Sequence, residues 1–275
     1  MNRACVLLIL AASAIPVAAP AAATPALAPH RAVYDLALDK ATDRSGITAL
    51  AGRMVYEFNG SACEGYTVNF RFVTQIDTRE VSRLTDQQTT TFEDAEGKNF
   101  SFVTKSYIDR NLDKELRGTA TRGTKGLHVE LEKPEKASLE LAPTQFPTQH
   151  LLELLKKARA GETFFETDLF DGSDDGDKVM TTTVVVGKEA SPKANDPEIK
   201  ADSAFLSKDQ YWPIDIAYFD LEAGSGEELP EYRISFKLHQ NGITRDLIMD
   251  YGDFSMKGKL VDLAMLPEPK ACPSK

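Results

Sequence analysis

Residues 66–72 read Tyr66-Thr67-Val68-Asn69-Phe70-Arg71-Phe72, and apolar and polar side chains alternate along them. Strict alternation places the apolar side chains on one face of an extended chain, as in a strand with one buried face. The same pattern recurs in segments 34–38, 54–58, 100–102, 127–131, 232–238, 243–250 and 254–263, and segment 181–186 is a run of β-branched residues that ends at Gly187. This repetition predicts about a dozen strands and a mostly β, antiparallel fold.

A hairpin signal joins two of these segments. His239-Gln240-Asn241-Gly242 separates the alternating runs 232–238 and 243–250. Asn-Gly between alternating segments is the strongest short-range hairpin signal, because both residues tolerate positive φ angles. The sequence therefore predicts a β-hairpin at this point.

Only one segment has the pattern of an α-helix. Pro147 suits the first turn, Gly161 suits the position after the last turn, and basic residues precede that glycine. The apolar face consists of Leu151, Leu152, Leu154 and Leu155. We expect this helix to pack against the concave face of the sheet, because that removes both apolar surfaces from water.

Residues 1–23 have the pattern of a secretory signal peptide. Arg3 precedes an apolar run that ends in small residues, with an A-x-A site at Ala21-Ala22-Ala23. The alternative is an uncleaved anchor, which the short apolar run disfavours. Cys5 precedes the apolar run, so it is not placed like a lipidated cysteine. We expect residues 24–275 to form a single β-rich domain in the bacterial periplasm.

Two of the three cysteines, Cys63 and Cys272, lie outside the predicted signal peptide. An exported chain with two remaining cysteines most economically forms one disulfide bond. The bond would close a loop of about 210 residues and contribute at most roughly 5 kcal/mol in the chain-entropy model. It would tie the C-terminal segment to an early turn.

The charge balance bears on the class of partner. The formal net charge is −10, and no basic stripe is available to neutralise phosphates. This balance disfavours a nucleic acid partner.

Alternating strands are also the signature of outer-membrane barrels. The absence of a terminal aromatic strand, and charges on both faces of several strands, disfavour that class.

The most acidic segment is Asp171-Gly172-Ser173-Asp174-Asp175-Gly176-Asp177. It resembles the first half of a calcium loop, but position 12, which needs a bidentate Glu, is Thr182. The alternative is a tight loop that feeds a strand, with Asp and Gly supplying turn conformations. This second interpretation is favoured, so the sequence predicts no metal site here.

No other motif indicates catalysis or a cofactor. The four histidines, His30, His128, His150 and His239, lack metal-ligand spacing with one another or with cysteine. Neither a G-x-S-x-G elbow nor a phosphate-binding glycine loop occurs. A pair of glycosidase carboxylates is unsupported, although sequence alone leaves it open. Trp212, the single tryptophan, is expected in the core rather than in an exposed recognition patch.

The order of several short motifs resembles a known family, that of the alphaproteobacterial envelope integrity protein EipB and its relatives, long classed as a domain of unknown function. The shared features are His30-Arg31-Ala32-Val33-Tyr34-Asp35-Leu36, Gly52-Arg53-Met54-Val55-Tyr56-Glu57, Cys63-Glu64-Gly65-Tyr66, Phe146-Pro147-Thr148, Phe170-Asp171-Gly172-Ser173-Asp174, Tyr211-Trp212-Pro213 and Cys272-Pro273. The resemblance covers essentially the whole chain after the predicted signal peptide.

The resemblance implies a non-enzymatic periplasmic protein that supports envelope integrity. It implies a spiral-like, incompletely closed β-barrel with one core-packed helix, and a disulfide between Cys63 and Cys272. It also implies a link to a periplasmic tetratricopeptide-repeat protein. Two other functions remain open: a carrier or sensor of an apolar ligand, such as a lipid or lipoprotein acyl chain, and a hydrolase of envelope glycans. An unfilled apolar cavity would favour the carrier.

Overall fold

The structure is a computed structural model that describes residues 27–199, 204–220, 229–269 and Cys272. The signal peptide predicted for residues 1–23 lies outside the described residues. Within the described part, one sheet contains 14 strands, and a single α-helix interrupts the series. The class is therefore mostly antiparallel β, as the alternation predicts.

The strands divide into two halves on either side of the helix. The first half comprises β1 (His30–Ala41), β2 (Ile47–Ser61), β3 (Gly65–Thr78), β4 (Ser82–Glu93), β5 (Asn99–Ile108), β6 (Asn111–Arg122), β7 (Leu127–Lys133) and β8 (Ala137–Leu141). The helix is α1 (Pro147–Arg159). The second half comprises β9 (Phe164–Leu169), β10 (Met180–Val186), β11 (Tyr211–Phe219), β12 (Tyr232–His239), β13 (Thr244–Asp250) and β14 (Phe254–Met265).

The two halves meet where the first strand pairs with the last. The order across the sheet is β8-β7-β6-β5-β4-β3-β2-β1-β14-β13-β12-β11-β10-β9, so β8 and β9 are its edges. Every pairing between neighbouring strands is antiparallel, including β1 with β14. A parallel bridge from Gln145 to Leu169 connects the segment after β8 to β9. The sheet is thus not closed by strand pairing between its edges, which agrees with the incompletely closed barrel expected.

The segment 66–72 shows why the chain forms this sheet. It lies within β3, where Tyr66 is buried and Phe70 and Phe72 pack against the main apolar core. On the opposite face, Arg71 forms an ion pair with Asp86 of β4 at 2.8 Å. Apolar side chains therefore face inward, while exposed charges pair across neighbouring strands on the outside.

The helix α1 packs against the main core, as predicted. Leu154 and Leu155 are each 1% exposed, whereas Leu151 and Leu152 are partly buried. Burying a leucine side chain contributes roughly 1.5–3 kcal/mol relative to leaving it exposed. Gly161 follows the helix with φ of 79°, and this left-handed conformation is the reason a glycine stands there.

The first turn of α1 is stabilised from another strand. No side chain of the preceding residue caps the helix. Instead, the carboxylate of Glu93, at the end of β4, accepts hydrogen bonds from the backbone N–H groups of Thr148 and Gln149, at 2.8 and 3.2 Å. Because the first N–H groups of a helix have no partner within the helix, Glu93 satisfies donors that would otherwise be buried without one.

The predicted hairpin and the predicted core position of Trp212 are both present in the structure. The predicted hairpin joins β12 to β13, where the N–H of His239 donates to the carbonyl of Ile243 at 2.9 Å and Gly242 has φ of 87°. Trp212 is buried in the main core, as expected. A second, smaller apolar cluster joins Phe100 and Phe102 of β5, and other residues of β6 and β7, to Phe146 before α1 and Phe170 after β9.

Candidate functional site: an interior cavity

A cavity of about 660 Å³ lies between the inner faces of the two halves of the sheet. Strands β3 to β6 form one wall, and residues of β10, β12 and β13 form the opposite wall. The loop between β9 and β10 contributes residues 171–174. No residue of α1 lines this space, so the helix fills one part of the interior and leaves this part open.

The apolar lining comes from both walls. Phe70 and Phe72 of β3 stack at 6.0 Å between ring centroids, and both remain partly accessible. Met180 and Met249 approach from the second half of the sheet and are buried. Aromatic rings and flexible thioethers are side chains that adapt to apolar ligands.

Aromatic side chains also continue along the second wall. Tyr218 and Tyr232 stack at 4.2 Å, Tyr232 and Tyr251 at 6.1 Å, and Tyr251 and Phe254 at 5.1 Å. Burial raises the pKa of Tyr232 well above its usual value, so the phenol stays neutral. Tyr232 and Tyr251 line the cavity and thus offer it neutral, partly apolar surfaces.

Polar side chains of β4 and β5 face the same space. Thr104 is hydrogen-bonded to Thr89 at 3.0 Å. Gln87 and Ser106 also line the cavity, and neither side chain makes a hydrogen bond within the part of the chain that the structure describes. The amide and the hydroxyl are therefore available to a ligand, and each can both donate and accept.

The acidic loop forms one side of the cavity. The carboxylate of Asp171 accepts a hydrogen bond from the N–H of Ser173 at 2.8 Å, which closes a turn. Burial raises the pKa of Asp171, and the nearby Asp174 acts in the same direction, while hydrogen bonds from Ser173 oppose the shift. Asp171 is half-buried and lines the cavity.

Two features hold this loop in place. Gly172 has φ of 67°, and a Cβ atom there would lie 2.6 Å from the ring of Phe102, so the site requires glycine. The ammonium of Lys114 contacts the Asp175 carboxylate at 2.6 Å and the Asp174 carbonyl at 2.5 Å. The loop is therefore packed against the first half of the sheet, where Lys114 pairs with one of its carboxylates.

The hydrogen bond from Ser173 to Asp171 is that of a turn, and the absence of a calcium site in this loop stays a prediction. Thr182, at the position where a calcium loop needs a bidentate Glu, lies in β10 and donates to the carbonyl of Thr167 at 2.8 Å. Among the residues that the structure describes, no group of three or more His, Cys, Asp or Glu side chains could hold a metal ion.

The two cysteines singled out from the sequence lie apart from the residues that line the cavity. Cys63, in the turn between β2 and β3, is joined to Cys272 by a disulfide, with the Cα atoms 5.7 Å apart. The bond connects the C-terminal segment to that turn. It is a structural link rather than a part of the candidate site.

The histidines occupy separate environments. His128 is exposed between Glu130 and Glu140, and its ring nitrogens lie 2.8 and 2.6 Å from their carboxylates. His150 is buried in α1, with Nε2 3.2 Å from the hydroxyl of Thr182. Both roles fit the expectation of surface or hydrogen-bonding histidines.

A buried ionic group was not apparent from the sequence. Arg245 of β13 is fully buried and pairs with the carboxylate of Asp196 at 2.5 Å. Its Nε donates to Nε2 of His239 at 2.9 Å, and Glu198 lies 3.7 Å away. This group anchors the segment between β10 and β11 to the sheet. Only the three-dimensional fold brings these residues together.

Three comparisons relate the chain to known proteins. Residues 21–267 match the sequence model of a family described as EipB-like. A Brucella abortus (strain 2308) protein named Cell envelope integrity protein EipB is 58% identical over 234 residues, covering 85% of this chain and 82% of that protein. A crystal structure of a β-barrel-like protein of a domain of unknown function from Brucella abortus has a TM-score of 0.83 and 58% identity, covering 88% of this chain and 99% of the solved chain.

Proposed function

This chain belongs to the EipB-like family, and from that membership we propose that it is a non-enzymatic periplasmic protein that supports cell-envelope integrity through protein–protein interaction. The observation that carries the proposal is the 58% identity, over 85% of the chain, to a relative named for that role. Similarity at this level, together with a shared fold, supports the same role here.

Two features support the periplasmic location. Residues 1–23 carry the pattern of an export signal. The disulfide between Cys63 and Cys272 is a bond that persists in an oxidising compartment and is rare in the bacterial cytosol. Within the described residues, α1 and the short helical turns are too short or too polar to cross a bilayer.

The edge strand β9 supports an interaction role. The N–H of Val186 donates to the carbonyl of Thr163, and hydrogen-bonded and non-hydrogen-bonded residue pairs alternate along two antiparallel strands. The backbone N–H and C=O groups of Phe164 and Glu166 therefore point away from β10. Phe164 is also 60% exposed, and its neighbour across the strands, Val185, is 48% exposed. An exposed edge with adjacent apolar side chains is a surface that partner proteins can bind.

The interaction can be tested by crosslinking in the periplasm. A photo-crosslinking amino acid replaces Phe164, and the control replaces Val81, an equally exposed residue at the turn after β3. We expect a discrete crosslinked protein from position 164 but not from position 81. Mass spectrometry identifies it, and the family resemblance points to a tetratricopeptide-repeat protein. No crosslink from either position would argue against an interaction at this edge.

The cavity favours a second candidate function, that of a carrier or sensor of an apolar ligand. Its volume of about 660 Å³ lies within the range of small-molecule sites. Phe70 and Phe72 supply apolar surface that the protein leaves partly uncovered, and the buried side chains of Met180 and Met249 line the opposite wall. Lipid extraction from protein purified from the periplasm tests this function. A stoichiometric extracted lipid would support it, and its absence would favour the interaction role alone.

A further inference from the structure

We infer that the interior cavity binds an uncharged amphiphile, namely an alkyl chain joined to a hydroxyl-bearing head. This inference rests on the carrier form of the proposed function and specifies the chemistry of its ligand. Three observations carry it: the apolar surface in the cavity, the unpartnered polar side chains beside it, and the sign of the charges around it.

The apolar surface suits an alkyl chain. Phe70 and Phe72 present stacked rings from one wall, and Met180 and Met249 lie on the other. Leu116, a buried member of the second apolar cluster, also lines the cavity. Covering this surface with methylene groups contributes favourable free energy in proportion to the apolar area removed from water.

The polar side chains suit hydroxyl groups rather than a second alkyl chain. Gln87, which is exposed, and Ser106, which is half-buried, line the cavity without a hydrogen-bond partner among the described residues. An alkyl chain that covered them would exclude water from polar atoms and give them no partner in return, which costs free energy. A head with several hydroxyls can donate to and accept from both side chains.

The charges disfavour an anionic head. Asp171, Asp174 and Glu231 line the cavity, and Lys114 is the one cationic side chain among its described lining residues. The ammonium of Lys114 is already engaged by Asp175 at 2.6 Å. A carboxylate or phosphate head would therefore meet like charges without a free cation, whereas hydroxyls can donate hydrogen bonds to these carboxylates.

Two ligands with the same alkyl chain and different heads test the inference. The full chain is expressed with its N-terminal segment, purified from the periplasm, and titrated by calorimetry at pH 7. The probes are decyl glucoside and decanoate, each below its micelle concentration. We expect decyl glucoside to bind at least about tenfold more tightly than decanoate. Equal or tighter binding of decanoate, or no binding of either probe, would overturn the inference.

Two sets of variants locate the site. Ser106→Phe fills the cavity from the inner face of β5 and should abolish binding of decyl glucoside. Lys105→Phe adds the same ring on the outer face of that strand and should leave binding unchanged. If Ser106→Phe does not fold, Asp174→Asn combined with Glu231→Gln still provides a test. These substitutions should reduce the discrimination against decanoate, and unchanged discrimination would contradict the charge argument.

The titrations are independent of the envelope role. A chain that binds none of the probes yet maintains the envelope would remove this inference and leave the interaction role intact. Binding with the expected preference in a chain without an envelope role would support the inference and remove the broader proposal.

Discussion

The backbone N–H of Thr148 donates a 2.8 Å hydrogen bond to Oε2 of Glu93, a residue that precedes it by 55 positions. Through this contact, the end of β4 is joined to the first turn of α1. Glu93 is buried, and burial raises its pKa while the hydrogen bonds from Thr148 and Gln149 lower it. The carboxylate thus links the helix in the core to the first half of the sheet.

Removing this link should destabilise the fold. We expect Glu93→Ala to lower the free energy of unfolding by about 1–3 kcal/mol, because buried helix N–H groups lose their acceptor. Glu93→Gln should cost less, since the amide retains one acceptor oxygen. Urea denaturation measures the change, and Glu96→Ala, at an exposed residue paired with Lys98, is the control. An equal effect of the alanine substitutions at 93 and 96 would contradict the capping role.

The helix leucines should differ in their contributions to stability. Leu154 is 1% exposed in the main core, so Leu154→Ala should cost about 2–5 kcal/mol. Leu152 is only partly buried and lines a groove beside α1, so Leu152→Ala should cost less. Thermal and urea unfolding measure both variants. A larger loss for Leu152 than for Leu154 would show that the helix faces the sheet differently.

The buried histidine of α1 predicts a loss of stability in acid. Burial lowers the pKa of His150 to about 4, whereas an unfolded histidine titrates near 6.5. Between these pH values the unfolded chain binds more protons than the folded chain, so stability falls as the pH falls from about 6.5 towards 4. The full effect is on the order of 3 kcal/mol for a shift of this size.

Substituting His150 should flatten this dependence. His150→Gln can retain a hydrogen bond to Thr182, and its stability should decrease less between pH 7 and pH 4.5. His128 provides the control, because hydrogen bonds to Glu130 and Glu140 raise its pKa. The stability that His128 contributes is present at low pH and is lost as the pH rises through its pKa in the folded protein. We therefore expect that His128→Gln does not relieve the loss of stability in acid. Parallel pH profiles for wild type and His150→Gln would contradict this assignment.

The disulfide should contribute to stability without being required for folding. Cys63→Ser should lower the free energy of unfolding by about 2–5 kcal/mol, since the unfolded chain loses a constraint over a long loop. Cys272→Ser and the double variant should lose the same amount, because each removes one bond. Non-reducing mass mapping of periplasmic protein checks the pairing. Free thiols at both positions, or additive losses in the double variant, would contradict it.

The parts of the fold that depend on local pattern could be predicted from the sequence. Alternation in 66–72 identifies β3, Asn241-Gly242 marks the turn between β12 and β13, and Pro147 and Gly161 bound α1. Each of these features depends on residues that are close to each other in the sequence, so the sequence alone is enough to predict it. The incompletely closed barrel came from family resemblance, because the pairing of β1 with β14 joins distant segments.

The candidate site was harder to predict for the same physical reason. The acidic loop stands out in composition, yet nothing local indicates that Asp171 faces Phe70 and Met249 across a cavity. Glu93 and Arg245 resemble surface residues in sequence, and only the fold buries them beside their partners. Charged residues are seldom fully buried unless paired, so composition alone would place both on the surface.

The most direct test of the envelope role is complementation of a strain that lacks the gene for this chain. Growth is measured in detergent, with the full chain or with residues 24–275 alone supplied from a plasmid at equal protein levels. We predict that deletion sensitises cells to detergent, that the full chain restores growth, and that residues 24–275 retained in the cytosol do not. Undiminished growth of the deletion strain, or full rescue by the cytosolic form, would contradict a periplasmic role in envelope integrity.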